Sequence, residues 1–164
     1  KNRAPGLERS FSAQRWACVP AQAWMDAADE AMDREFDGAY EIWGGDIDPK
    51  AVAIARDNAV KAGVEDLIRF EVADARAFRR EAPYGRVVTN PPYGERIMEK
   101  REAEELYRAF GKAYRGLPPG WSLALLSSHT EFERTFGRTA DKKRKLYNGM
   151  IKCDLFLYHK RERG

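Results

Sequence analysis

The stretch Gly85-Arg86-Val87-Val88-Thr89-Asn90-Pro91-Pro92-Tyr93 decides the fold. Its first five residues form a short β-branched run bounded by a glycine, which is typical of a buried strand, and the strand ends at Asn90 in a turn. Two consecutive prolines fix φ at about −65° and remove two backbone N–H donors, so the main chain of this turn offers only carbonyl acceptors. Ligands bind at the carboxyl ends of strands in open α/β sheets. The sequence therefore predicts a ligand-binding turn at residues 90–93.

The groups in this turn suit the recognition of a flat ring that carries an amino group. Asn90 offers a planar amide, Pro91 and Pro92 offer carbonyl oxygens, and Tyr93 offers an aromatic face. Two plainer interpretations exist, because Asn-Pro is a common turn starter and Pro-Pro-Tyr also occurs in linear ligands of WW domains. The position directly after an apolar strand favours a binding site over an exposed linear motif.

Composition indicates one globular domain. The chain has 164 residues, of which 43% are apolar, and this is enough for one ordinary core. No apolar run has the length of a membrane span, and no signal peptide is visible. Cys18 and Cys153 lack metal-ligand spacing, which predicts free thiols in a reducing, cytoplasmic compartment and no metal site. A net charge of +3 permits a nucleic-acid partner without requiring one.

Strand and helix patterns alternate on both sides of the turn, and a hairpin pattern closes the chain. Alternation of this kind predicts a mostly parallel sheet in an α/β fold. The terminal hairpin is predicted from Asn148-Gly149, a strong turn signal between two strand-like runs. The expected strands are 39–45, 67–72, 85–89, 121–127, 142–147 and 150–159, and the expected helices are 20–37, 49–62, 104–115 and 130–136.

Three aspartates follow predicted strands. Asp48 precedes Pro49 at the start of a helix, so an N-cap role explains it. Asp46 lies at the strand tip beside two glycines, where a carboxylate typically accepts hydrogen bonds from ribose hydroxyls, although it also fits an ordinary turn. Asp74 follows the next strand, and we expect it either to accept the amino group of an adenine or to cap a helix.

A basic cluster leads into the terminal hairpin. It consists of Lys142, Lys143, Arg144 and Lys145. Lysines commonly protect an exposed edge strand from pairing with other chains, and basic clusters also contact the phosphate backbone of nucleic acids. The sequence supports both interpretations equally.

Taken together, these motifs resemble a known enzyme family. The chain resembles a class I S-adenosylmethionine-dependent methyltransferase, and residues 90–93 match the Asn-Pro-Pro-Tyr motif shared by enzymes of this class that methylate exocyclic amino groups of adenine or guanine. More specifically, the chain resembles the bacterial 23S ribosomal RNA guanine-N2 methyltransferases that are linked to THUMP regions. Four ordered blocks carry this resemblance: Ala4-Pro5-Gly6-Leu7 with Arg9 and Phe11, Gly45-Asp46-Ile47-Asp48-Pro49, residues 90–96, and residues 143–149 with Ile151-Lys152-Cys153.

The resemblance implies a fold, a cofactor and a partner. The fold is a Rossmann-like, mostly parallel sheet with a reversed terminal hairpin, and the cofactor is S-adenosylmethionine. The substrate is a guanine of 23S rRNA or of a ribosome assembly intermediate, held by residues 90–93 as the catalytic turn. The implied cofactor-binding residues are Asp46 with Ile47, Asp74 with Ala75, and Asn90, and the implied RNA contacts are Arg96 and residues 142–145.

The chain departs from this family at its start. The glycine-rich loop that follows the family's first strand would lie just before Lys1, and a THUMP region would lie further upstream. We therefore expect residues 1–164 to be the carboxyl-terminal portion of a single methyltransferase domain. Two alternatives remain: an adenine-N6 methyltransferase acting on DNA or RNA, and an RNA-binding module without catalysis.

Overall fold

Two sheets carry the fold, one in each of the two units into which the chain divides, Lys1–Val72 and Ala73–Gly164. The computed structural model describes residues 2–7, 9–38, 41–93 and 97–160, with the backbone alone for residues 97–99. Within these ranges no helix has the length and the apolar character needed to cross a membrane. Cys18 and Cys153 are both free thiols, as the sequence predicts.

The first unit pairs two parallel strands. Strands β1 and β2 lie side by side with Ile42 opposite Ile68 and Asp46 opposite Val72, so their carboxyl ends meet at one edge. The ring of Phe70 lies against Gly44, only 2.8 Å from where a Cβ atom would be, and this contact explains the glycine in the strand. The elements are α1 (Ala21–Asp33), β1 (Ile42–Asp46), α2 (Pro49–Lys61) and β2 (Ile68–Val72), with short 3-10 helices at Ser12–Arg15 and Glu65–Leu67.

The connection between these strands follows the local signals in the sequence. The Asp48 side chain accepts a hydrogen bond of 2.8 Å from the Lys50 backbone N–H, and Pro49 occupies the first position of α2. The helix ends before Gly63, whose φ of +60° is the left-handed conformation that glycine adopts most easily. Cap, proline and glycine thus lie where the sequence predicts them.

Helix α1 ends earlier than the apolar pattern predicts. The spacing from Trp24 to Phe36 predicts a helix reaching residue 37, but α1 stops at Asp33, with Pro20 as its N-cap. Met32 and Phe36 are 52% and 56% exposed, so the last two apolar positions of the pattern are not buried in this unit. The ring of Trp24 instead stacks on Phe11 at 5.8 Å, which ties the irregular amino-terminal segment to the helix. Residues 39 and 40, predicted to begin the next strand, lie outside the described residues.

The second unit is a four-stranded mixed sheet of order β3-β4-β6-β5. Strands β3 and β4 are parallel, whereas β6 runs antiparallel to both of its neighbours. The prediction of parallel strands followed by an antiparallel hairpin is therefore confirmed. The elements are a 3-10 helix (Ala75–Ala77), β3 (Tyr84–Thr89), α3 (Ile97–Arg115), β4 (Gly120–Ser127), α4 (Phe132–Phe136), β5 (Lys142–Asn148) and β6 (Ile151–Tyr158).

Aromatic side chains form most of the core of this unit. Phe132 is fully buried, stacks on Phe136 with ring centroids 5.2 Å apart, and packs at a tilt against Phe156 with centroids 4.5 Å apart. Burying one such ring contributes on the order of 2 kcal/mol to folding. Helix α3 supplies Tyr107, Phe110 and Tyr114, strands β4 and β6 supply Leu123, Leu125, Phe156 and Tyr158, and α4 supplies Phe132 and Phe136.

The hairpin turn lies one residue further along than the sequence predicts. Asn148 pairs with Ile151 at the end of the ladder, so the two central residues of the turn are Gly149 and Met150. Gly149 has a φ of +62°, and a glycine at the first central position is the pattern of a type II′ turn. The Asn148-Gly149 signal predicts the hairpin correctly but places its two central turn residues one position too early, because Asn148 is the last paired residue of β5.

An ion pair links α4 to the edge strand β5 and gives a test of this packing. The Lys143 ammonium lies 2.7 Å from Glu133, whose other oxygen accepts the Ala140 backbone N–H at 2.7 Å. Burial raises the pKa of Glu133, but these two hydrogen bonds outweigh burial and leave the pKa below its ordinary value of 4.5.

We expect Glu133→Gln to lower the free energy of unfolding by about 1 kcal/mol at pH 7. Since the folded-state pKa is lowered, this stabilisation is complete above the ordinary pKa of 4.5 and is lost as the pH falls through the lowered value. Urea unfolding at a series of pH values measures the difference. Glu131→Gln, which breaks an exposed pair with Arg134 beside the same helix, is the control and should change stability far less. Equal effects of the two variants would refute the assignment.

Candidate functional site

The Asn90–Tyr93 turn lies at the carboxyl end of β3, as predicted. Thr89, the last residue of β3, pairs in register with Leu125, so the turn begins beside the carboxyl end of β4, where Ser127 lies. Asn90 is exposed, whereas Pro91 and Tyr93 are partly buried. The parallel pairing of β3 with β4 thus puts the turn at the edge of the sheet where ligands bind in this class of fold.

A buried tyrosine of helix α3 forms a hydrogen bond to the backbone of the turn. The Tyr107 hydroxyl donates a hydrogen bond of 2.7 Å to the Pro92 carbonyl and lies 3.2 Å from the Ser127 hydroxyl. Tyr107 and Ser127 are both almost completely buried. Burial raises the pKa of Tyr107, so the side chain stays a phenol that can donate at neutral pH.

Tyr93 folds back onto the first residue of the turn. Its hydroxyl donates a hydrogen bond to the Asn90 side-chain oxygen, and it also interacts with the side chains of Asn148 and Cys153 from the terminal hairpin. Burial, the largest influence, raises the pKa of Tyr93, the Cys153 thiol adds to this rise, and hydrogen bonds with Asn148 and Asn90 oppose it. The net effect is a rise, so Tyr93 is a neutral phenol at physiological pH. The hairpin is therefore part of the surroundings of this turn.

Asp46 lies at the tip of β1 and has the local turn role that the sequence allows beside a ligand role. One oxygen of Asp46 accepts the Asp48 backbone N–H at 2.8 Å. Asp46 and Ile47 are both exposed, so solutes can reach them. A carboxylate has two oxygens and about four lone-pair sites, and one local bond leaves capacity for a ligand hydroxyl.

Asp74 is bonded by its near neighbour Arg76. It accepts the Arg76 backbone N–H at 2.9 Å, which caps the 3-10 helix Ala75–Ala77, and it pairs with the Arg76 guanidinium at 2.6 Å. Hydrogen bonds from the Arg76 side chain and backbone lower the pKa of Asp74. The capping role that the sequence allows is therefore present. The adenine role of Asp74 and Ala75 stays a prediction.

The basic cluster lies on β5, an edge strand whose residues are all exposed. Strand alternation divides the cluster between two faces. Lys143 points to the face of α4, where it pairs with Glu133, and Lys145 shares that face, whereas Lys142 and Arg144 point to the other. The four cations therefore do not form one continuous patch, and RNA contact stays a prediction for each. Arg96 lies outside the described residues.

Comparison with known proteins assigns the chain. The model of the family UPF0020, described as "RMKL-like, methyltransferase domain", matches residues 1–156. The chain belongs to this family of methyltransferase domains. The Rossmann-like class I fold follows from this membership and from the solved structures described next.

Relatives with similar sequences carry methyltransferase names. The chain is 40% identical over 159 residues to "Putative RNA methyltransferase YpsC" of Bacillus subtilis (strain 168), covering 96% of the chain and 41% of that protein. It is 38% identical over 160 residues to "Ribosomal RNA large subunit methyltransferase K/L" of Shewanella baltica (strain OS185), covering 94% of the chain and 23% of that protein. The chain thus spans less than half the length of these relatives.

Two solved structures superpose closely on the chain. The structure of SMU.472, described as "a putative methyltransferase complexed with SAH", has a TM-score of 0.90 at 36% identity and covers 99% of this chain and 43% of that one. The structure of "a predicted N6-adenine-specific DNA methylase from Listeria monocytogenes str. 4b F2365" has a TM-score of 0.85 at 44% identity, covering 96% and 40%. Both support the methyltransferase fold.

Sequence reasoning missed three residues that meet the turn of this methyltransferase domain. The sequence predicts a turn at Asn148 and a free thiol at Cys153, and it gives Tyr107 only a place in the expected helix 104–115. A buried tyrosine usually finds a partner for its hydroxyl, so the pattern of α3 contains a signal for Tyr107. It does not say that the partner is Pro92, which lies 15 residues earlier.

The bond between Tyr93 and Asn90 gives a direct test of this geometry. Tyr93→Phe removes the hydroxyl from a partly buried cluster, so we expect the free energy of unfolding to fall by about 1 kcal/mol in urea denaturation. Tyr84→Phe is the matched control, since Tyr84 is 76% exposed, and its loss should be close to zero. A Tyr93→Phe variant as stable as the control would mean that the contact is not formed in solution.

Proposed function

We propose that the protein is an S-adenosylmethionine-dependent RNA methyltransferase that transfers a methyl group to the exocyclic N2 of a guanine in 23S rRNA. The observation that carries this proposal is the Asn90–Tyr93 turn at the carboxyl end of β3, with its acceptor oxygens and its aromatic ring. Family membership and the names of the RNA methyltransferase relatives support it. A large-subunit RNA substrate implies that the reaction takes place in the cytoplasm.

The residues of the turn activate the nitrogen by accepting hydrogen bonds from its N–H groups. The guanine amino group is a poor nucleophile, because its lone pair is delocalised into the ring. The two N–H groups donate hydrogen bonds to the Asn90 side-chain oxygen and the Pro91 carbonyl. These bonds increase the electron density on the nitrogen and orient its lone pair toward the methyl group. Tyr93 stacks on the base, which has to leave its RNA stack to reach the turn.

The main-chain acceptors of the turn have different roles in this proposal. The Pro92 carbonyl already accepts the Tyr107 hydroxyl, which leaves the Pro91 carbonyl for the substrate. The Asn90 oxygen accepts the Tyr93 hydroxyl and has a second lone pair for the amino group. No strong base is required before attack, because the nitrogen releases its extra proton to water after the new bond forms.

The cofactor supplies an electrophilic methyl group on a sulfonium sulfur, and Asp46 is the residue we propose for its ribose. The donor set fits, because ribose hydroxyls donate and the exposed Asp46 carboxylate accepts while one of its oxygens holds the Asp48 N–H. Ile47, Asp74 with Ala75, and Asn90 complete the proposed cofactor contacts. The SAH in the SMU.472 structure supports a cofactor of this class.

We also propose that the chain is the carboxyl-terminal portion of one methyltransferase domain in a longer protein with an upstream glycine-rich loop and THUMP region. The greater length of the relatives supports this. Among the described residues, β1 and β3 each pair with one neighbour only, so each offers an edge to a further strand. Arg96 and residues 142–145 are the proposed RNA contacts.

Methylation of an adenine N6 is the second candidate, and the description of the Listeria monocytogenes structure as a predicted N6-adenine-specific DNA methylase favours it. The turn accepts either amino group, since both are planar N–H donors on a flat ring. Competition between guanine- and adenine-containing RNA oligonucleotides, followed by mass analysis of the methylated nucleoside, separates the two. RNA binding with no cofactor binding would instead favour a module without catalysis.

Asn90→Ala in the full-length protein should reduce turnover at least 100-fold, because it removes an acceptor from the reacting nitrogen. Cofactor affinity should stay within about threefold, roughly 0.6 kcal/mol, because Asn90 is only one of the proposed cofactor contacts and the contact of Asp46 with the ribose remains. Methyl incorporation into RNA and calorimetric cofactor binding measure the two effects. Asn58→Ala, an exposed change on α2, is the control. Near-normal turnover in Asn90→Ala would overturn the catalytic assignment.

Asp46→Ala should weaken S-adenosylmethionine binding about tenfold or more, since a charge-assisted hydrogen bond is lost. Asp46→Asn keeps an acceptor for the Asp48 N–H and therefore separates the ligand effect from the local turn. We expect an intermediate loss for this variant in isothermal calorimetry. Asp57→Ala, exposed on α2, is the matched control. If both Asp46 variants bind like the control, Asp46 is only a turn residue.

A further inference from the structure

We propose that Tyr107 is a positioning residue that holds the Asn90–Tyr93 turn in its reactive shape, with Ser127 and His129 fixing Tyr107 from behind. This inference rests on the proposed methyl transfer at that turn. It concerns the protein's own geometry, however, and part of its test does not require activity. The evidence is a series of buried and partly buried hydrogen bonds that starts at the Pro92 carbonyl and leads through Tyr107, Ser127 and His129 to a carboxylate of α3.

The turn needs a donor from elsewhere in the fold. Pro91 and Pro92 have no N–H group, so these two residues cannot hold the turn by donating backbone hydrogen bonds. The Tyr107 hydroxyl supplies what is missing, at 2.7 Å from the Pro92 oxygen. Fixing the Pro92 carbonyl also fixes the orientation of the preceding Pro91 peptide, whose carbonyl is the proposed acceptor for the substrate amino group.

Donor chemistry determines the direction of each bond. A carbonyl has no proton, so Tyr107 donates to Pro92 and the contact of 3.2 Å with Ser127 has the serine as donor. The Ser127 oxygen in turn accepts the His129 backbone N–H at 3.1 Å. Every polar group in this part of the series therefore has a partner, although Tyr107 and Ser127 are completely buried.

The His129 ring is held in one tautomer. Its Nδ1 accepts the Glu131 backbone N–H at 3.1 Å, so the proton of the neutral ring lies on Nε2, which donates to Glu104 at 3.2 Å. The His129 ring packs edge-on against the Tyr107 ring with centroids 5.7 Å apart. The Phe132 ring also packs edge-on against the Tyr107 ring, with centroids 5.0 Å apart. Two rings thus confine the tyrosine ring while the hydrogen bonds orient its hydroxyl.

Another tyrosine on the same helix provides a matched control. Tyr114 lies seven residues further along α3, is also buried, and donates to the Trp121 carbonyl at 3.2 Å. This hydrogen bond lies at the start of β4, whereas the turn lies beside the carboxyl end of that strand. Replacing either tyrosine by phenylalanine removes one buried hydroxyl from the same helix, but only Tyr107→Phe releases the turn.

The experiment compares Tyr107→Phe with Tyr114→Phe in the full-length protein. For Tyr107→Phe we expect kcat for RNA methylation to fall about tenfold, which corresponds to one hydrogen bond, while KM for S-adenosylmethionine stays within about twofold. For Tyr114→Phe we expect unchanged kcat. Hydrogen-exchange mass spectrometry is the second readout: the peptide containing Asn90 and Tyr93 should exchange faster in Tyr107→Phe only.

The outcomes separate this inference from the proposed function. If the wild-type protein is active, Asn90→Ala is inactive and Tyr107→Phe matches Tyr114→Phe in kcat and exchange, the positioning role is wrong and the proposed function stands. If the wild-type protein methylates no RNA, the proposed function fails, and the exchange comparison alone decides whether Tyr107 holds the turn. Faster exchange together with a tenfold lower kcat supports the inference.

Discussion

The hydrogen bond from Tyr107 to the Pro92 carbonyl is the interaction on which the candidate site depends. A turn with two adjacent prolines has lost two of the donors that normally fix a turn. Acceptors of this kind are useful for binding amino groups, but the two prolines cannot donate backbone hydrogen bonds, and the Tyr93 hydroxyl bonds only the Asn90 side chain and leaves the Pro92 carbonyl without a donor from the turn. The fold solves this problem with a side chain, and that side chain has to come from a rigid, buried element.

Helix α3 is suited to this task because the aromatic core immobilises it. Phe110 and Tyr114 pack with Phe136, and Tyr107 packs against Phe132 on the same side of the sheet. A ring buried on all sides cannot move its hydroxyl without disturbing its neighbours, because protein interiors are close-packed. The packing that stabilises the core of this unit therefore also determines the position of the Tyr107 hydroxyl at the candidate site.

Local signals explain which parts of this structure the sequence could predict. Asp48, Pro49 and Gly63 act within a few residues of themselves, and the helix they delimit was predicted almost to the residue. The end of α1 is predicted wrongly. The apolar spacing continues to Phe36, beyond the last helical residue, and no cap signal marks Asp33. The turn at residues 90–93 was predicted because its prolines restrict the backbone directly.

Long-range partners explain the rest. The roles of Tyr107 and Asn148 depend on which strand ends lie beside the turn, and that depends on pairing registers such as Thr89 with Leu125 and Asn148 with Ile151. A shift of one residue in either register would turn the side chains to the other face. Composition and periodicity contain no information about these registers, so the sequence predicts only a helical position for Tyr107 and a turn position for Asn148.

The two aspartates show why a structural role and a ligand role do not exclude each other. Asp46 uses one oxygen for the Asp48 N–H, and this bond fixes the carboxylate plane at the tip of β1 without occupying its remaining lone pairs. Asp74 has both oxygens bonded by Arg76, so a ligand there would have to share or displace the guanidinium. Both aspartates follow a strand, and this position suggests a cofactor contact for each. The position supports that role more strongly for Asp46, because Asp46 has fewer neighbouring donors than Asp74 and keeps more free acceptor sites for a ligand.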